Sequence, residues 1–241
     1  PVLSIASDYF EYLGSDKYSA DDFAMELYSK ACRSGLLVGG NTTNIAISGL
    51  SENLPAALEA FEYQLRNVNA DEDILAELKA DIVRSRADSK KNQRAASSAI
   101  QNYLMYGPDY IKGRTLTNPE VQALSSETVL GSISNLLGKQ YKILYYGPAS
   151  IEEVKEMLSA HSAEGLAPLE KTHAVKRLTP TKQVFVTHYD SRQFNYVQFS
   201  NRGEKLDLSQ DPAIDLFNEY YGGGMNAIVF QEMRESRALA Y

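Results

Sequence analysis

Few residues in this 241-residue chain are of types that do chemistry alone. Metal-assisted hydrolysis needs three protein ligands, usually imidazoles with a carboxylate, and one coordination position left for water. The three histidines, His161, His173 and His188, are separated by 12 and 15 residues. None stands in an H-E-x-x-H or H-x-x-E-H arrangement, so no zinc site is expected within the chain. The single cysteine, Cys32, falls in a stretch with helical periodicity, where a buried inert thiol is the expectation, and no G-x-S-x-G elbow offers a serine nucleophile. The glycine clusters GGNTT and GGGMN lack the lysine of a phosphate loop, and the second reads as a helix C-terminus.

The elements that would position any such residues follow from periodicity. Leu3, Ile5, Tyr9, Phe10 and Leu13 are spaced as on the buried face of a short helix that closes on Gly14. A second helix is expected from Ala20 to Ser34, after which the alternation at Ile45 and Ile47 predicts one or two strands. Leu54, Ala57, Leu58, Phe61 and Leu65 give the next helix one apolar face, and Asp71 is placed to cap the helix after that. Residues 84–98 read as exposed helix, and aromatics gather around a Gly107-Pro108 turn, where core is their expected place. A helix opens at Ser126, KILYYG reads as a buried strand, and Ser150 with Glu153 forms an S-x-x-E capping box for the next helix.

Between His161 and Thr181 the pattern dissolves, as in a linker. Beyond it, QVFVTH and FNYVQFS read as strands, and Asp211-Pro212 supplies an N-cap and a first-turn proline to a helix that Gly222, Gly223 and Gly224 stop. The stretch from Asp8 to Gly14 echoes that from Asp215 to Gly222, each an apolar helix ending in Glu-Tyr and glycine. The fold class expected is α+β, a mostly antiparallel sheet packed by helices, with one largely complete unit and an incomplete second copy of a similar unit. The domains are read as residues 1–165, whose first strands are expected to be missing, a linker at 166–180 and an incomplete domain at 181–241. The chain opens on Pro1 and ends on ALAY straight after an amphipathic helix, so both ends read as cut.

A net charge of −7 and an isoelectric point near 5.1 argue against nucleic acid or an anionic membrane surface as partner, since both would repel the chain. An apolar content of 44% is enough for a core, and no run has the length of a membrane span. An incomplete sheet leaves unpaired edges, so self-association is expected.

The most specific stretch is YYGGGMNAIVFQEMRESRALAY, Tyr220 to Tyr241. It resembles the helix-glycine-helix segment of the pitrilysin/insulinase-like zinc peptidases, the inverzincins, in which an Arg is followed seven residues on by a Tyr; here these are Arg234 and Tyr241. The resemblance extends to Gly35–Leu65, which reads like the family's strand pair and following helix. It implies a two-halved chamber whose first half binds zinc through H-x-x-E-H and a downstream Glu, with peptide as substrate. In DYFEY, Asp8, Glu11 and Tyr12 stand where His, Glu and His would be, which places this chain in the non-catalytic C-terminal half and the zinc outside it. Arg234 and Tyr241 would then contact the substrate carbonyl or the transition state in the full-length metalloendopeptidase, paired with its zinc-bearing N-terminal half. If the helix continues, seven residues are two turns, and the two side chains share a face about 10 Å apart. A non-peptidase scaffold or partner subunit with the same fold is the alternative, and without the resemblance Arg234 is one more solvated charge and Tyr241 a core aromatic. The resemblance suggests the bacterial periplasm or cell envelope as compartment.

Overall fold

The computed structural model describes residues 1–40, 42–159, 165–168, 174–187, 197–205 and 207–239. These fall into two compact units, one of residues 1–177 with 183–199 and one of residues 178–182 with 200–241. The first unit is built around helix α1 (Val2–Phe10), whose Ile5, Ala6, Tyr9 and Phe10 are buried as their spacing predicts. Helix α2 (Ala20–Ser29), capped by the Ser19 side chain, leads into a hairpin of β1 (Cys32–Val38) and β2 (Thr43–Gly49), paired antiparallel with Cys32 opposite Gly49 and Val38 opposite Thr43. Helix α3 (Leu54–Arg66) covers the hairpin, with Ala57, Ala60, Phe61 and Leu65 buried. Helix α4 (Glu72–Ser89) begins at Asp71, whose carboxylate accepts the N–H groups of Asp73 and Ile74 at 3.0 Å each, the cap expected from the sequence.

Helices α5 (Gln93–Tyr106), α6 (Pro108–Arg114), α7 (Asn118–Gln122), α8 (Ser126–Leu137) and α9 (Ile151–Ser159) complete this unit. Its core joins Ala6, Tyr9, Phe10 and Leu13 to Leu36, Phe61, Leu65, Leu75, Val129 and Ile133, with the Phe10 and Phe61 rings edge to face at 6.0 Å. The second unit carries α10 (Asp211–Gly222) and, after the glycines, a π-helical turn over Phe230–Glu235. The class is α+β, and the sheet among the described residues is the two-stranded hairpin.

Several expectations are corrected. The second helix stops at Ser29 instead of Ser34, because Ala31 takes the left-handed conformation (φ 50°) and Cys32–Ser34 pair with Ile47–Gly49. Cys32 is therefore a buried strand residue, packed with Leu27, Ala57 and Ala60. Residues 84–98 are not one helix: the chain turns at 90–92, and the Asn92 side chain accepts the Ala95 N–H at 3.0 Å to start α5. The tyrosines near Gly107 are not fully buried core; Tyr106 and Tyr110, both half-buried, stack at 4.4 Å across the turn. Lys142–Gly147 form no ladder among the described residues, and Leu144 is 94% exposed, because an apolar run becomes a buried strand only where another strand lies beside it. Gln183–Thr187 are likewise without a ladder; His188, and Phe194–Tyr196 of FNYVQFS, lie outside the described residues. Asp211 is the first residue of α10 instead of its cap, while Asp207 caps the short 3-10 turn Leu208–Gln210 before it.

Candidate functional site

The site proposed from the sequence lies in the second unit and is built from the end of α10 onward. Gly223 closes the helix through its N–H to Glu219 O at 3.2 Å, and glycine is required there because a Cβ would stand 2.7 Å from Glu219 Cα. The chain then turns through Gly224, buries Ala227 and re-enters helix, with Ala227 N–H donating to Gly224 O at 3.0 Å. Gln231 ties this glycine turn to the end of the helix: its side-chain amide donates to Met225 O at 2.6 Å, and its own carbonyl accepts the Ser236 N–H at 2.9 Å. That second bond spans five residues and marks the π turn.

Arg234 sits in the π turn with its side chain 44% exposed. Its guanidinium carbon lies 4.7 Å from the centre of the Phe230 ring, and its Nε is 3.8 Å from a Glu235 carboxylate oxygen. The neighbouring Glu232 and Arg237 pair at 3.7 Å. The cation is thus held at the surface among opposite charges and over a ring face. The helix ends before Ala238, which takes φ 50° with its N–H donating to Arg234 O at 3.1 Å, so residues 236–239 are not the continuous helix that a two-turn spacing requires. Tyr241 lies outside the described residues. The contact with Phe230 is not among the features expected from the sequence, although an aromatic four residues before an arginine is visible in F-Q-E-M-R.

In the first unit, the stretch Asp8–Tyr12 is used for packing. Tyr9 is wholly buried, Asp8 is on the exposed side with its carboxyl raised by partial desolvation, Glu11 ends α1 and Tyr12 is exposed. Among the described residues no three of His, Cys, Asp and Glu stand together as metal ligands, and the three histidines lie outside them. Two carboxylates and a phenol at the end of α1 are not the donor set of a zinc site with two imidazoles, so these residues do not fit the metal. No helix among the described residues is long and apolar enough to cross a membrane.

Residues 136–241 match the family described as the peptidase M16 inactive domain, a span that includes Arg234 and Tyr241. No curated protein matches the chain. Among solved structures, a mutant of the ferredoxin protease FusC in complex with Arabidopsis ferredoxin is similar over 73% of this chain and 20% of its own, at 11% identity and a TM-score of 0.57. A protease from Helicobacter pylori is similar over 99% of this chain and 59% of its own, at 13% identity and a TM-score of 0.53. At these identities the likeness is one of fold, and the chain spans less than two thirds of either structure. Residues 136–241, somewhat less than half of this chain, thus match the peptidase M16 inactive domain, and the two protease structures add a likeness of fold.

Proposed function

We propose that this chain is the non-catalytic, substrate-binding and chamber-closing half of a zinc metalloendopeptidase acting on unstructured peptides. The observation that carries the reading is the span of the inactive-domain match, which takes in the segment where Arg234 is held at the surface. During hydrolysis, negative charge gathers on the oxygen of the scissile carbonyl, and a guanidinium with a phenol donor lowers the barrier when both face that oxygen. Arg234 and Tyr241 have that chemistry. A polypeptide ligand is supported by the FusC structure, which was solved with a protein, ferredoxin, bound. In this reading zinc belongs to a separate half of the same protein and supplies Lewis acidity there.

The test is cleavage of a quenched, unstructured peptide by the natural full-length protein, with and without a zinc chelator. Cleavage that the chelator abolishes, and that falls on the order of 10²-fold in Tyr241→Phe or Arg234→Ala, is the expected result, the scale of one lost oxyanion donor. Absence of cleavage would move the assignment to a structural partner subunit. Full activity in both variants would remove the two residues from the site.

A further inference from the structure

Arg234 carries a long side chain with many rotamers, and an arginine that must meet one carbonyl oxygen loses rate if its plane wanders. Glu235 and Phe230 are among the groups that touch it, and these two act differently. Glu235, an exposed neighbour at 3.8 Å, offers charge with little direction. Phe230 offers a flat face: the ring centre is 4.7 Å from the guanidinium carbon, and the residue is only partly exposed. A ring face restrains the plane of a guanidinium without occupying an N–H donor, since those donors point within the plane. The π turn aids the pairing, because a turn closed by i→i+5 bonds brings residue i+4 nearly above residue i, and the Gln231 side chain ties that turn to Met225 O.

We propose that Phe230 is a positioning residue that holds the Arg234 guanidinium plane so that its N–H donors meet the carbonyl oxygen of a bound polypeptide. This rests on the role proposed for Arg234 in hydrolysis. The test is a double-mutant cycle in the natural full-length protein, with kcat and KM measured on the quenched peptide for Phe230→Leu, Phe230→Tyr, Arg234→Ala and the Leu/Ala double variant. Phe230→Met, which removes the ring with less change of volume, repeats the Leu arm. Removing the ring lowers kcat about three- to tenfold with KM little changed, Phe230→Tyr restores the rate, and Phe230→Leu has no further effect once Arg234 is alanine. An equal loss from Phe230→Leu with and without Arg234 would mean that the ring serves the fold alone and overturns the proposal. So would wild-type kcat in both Leu and Met variants while Arg234→Ala is impaired. If Arg234→Ala itself cleaves at the wild-type rate, the role of Arg234 fails first and this inference with it, an outcome distinct from the other two.

Discussion

Tyr9 shows how far a residue's surroundings decide its use. It stands inside Asp8–Tyr12, where the family resemblance seeks metal ligands, yet its ring is wholly buried. Its hydroxyl donates to Asp71 O at 2.7 Å and accepts the Asp71 N–H at 2.8 Å, so one phenol ties α1 to the residue that caps α4. Burial raises its pKa, which keeps the hydroxyl protonated and able to make both bonds. Tyr9→Phe leaves the ring packed and the Asp71 N–H without the Tyr9 oxygen, while Asp71 O keeps the Leu75 N–H at 3.1 Å, so the loss is about 1–3 kcal/mol from the one orphaned donor. Urea unfolding should show it as a lower midpoint with an unchanged slope; an unchanged midpoint would mean that water replaces the hydroxyl at no cost. The contact of Arg234 with the Phe230 ring is not legible in the sequence, because a contact between an aromatic and a cation leaves no hydrophobic period.

At the scale of elements, the capping signals were the most legible part of the chain, since they depend on residues three apart and on nothing distant. Ser150 and Glu153 form the expected box: the Ser150 N–H donates to the Glu153 carboxylate at 2.7 Å, the Ser150 hydroxyl donates to it at 2.8 Å, and the Glu153 N–H donates back to the hydroxyl at 3.3 Å. The backbone bond first, and then the hydroxyl, hold the Glu153 carboxyl below its ordinary value of 4.5. A depressed carboxyl contributes stability that is complete above its unfolded pKa and is lost as pH falls through the folded one. In a carboxyl NMR titration Glu153 should therefore titrate below an ordinary glutamate and move upward in Ser150→Ala, with the start of α9 fraying in the same acid range. An unshifted Glu153 in that variant would leave the hydroxyl without a part in the cap. The hairpin was legible from Ile45 and Ile47, but its start was not, because only pairing with Ile47–Gly49 draws Cys32–Ser34 out of helix, and no composition signals a left-handed alanine at position 31. The π turn was equally hidden, since it differs from α-helix by the register of its bonds and not by residue type.

At the scale of the molecule, the apolar side chains left in the open matter more than those in the core. Tyr141, Ile143, Leu144 and Tyr146, then Val184 and Val186, are exposed in the first unit, and α10 in the second exposes Leu216 (73%), Phe217 (59%), Tyr220 and Tyr221. Exposed apolar area drives association wherever nothing else covers it. The expectation of self-association, first drawn from unpaired sheet edges, thereby gains a helical surface in α10. The net charge of −7 opposes it by mutual repulsion, which salt screens, whereas apolar contact does not weaken with salt. Light scattering on the 241-residue chain should then show a mass that rises with concentration and rises further between low and moderate ionic strength. Leu216→Glu with Phe217→Glu should lower it, by placing charge on α10 without touching the core of the first unit. A mass that falls with added salt would assign the association to ion pairs instead, and a monodisperse monomer at high concentration would show that these apolar faces are covered within one chain.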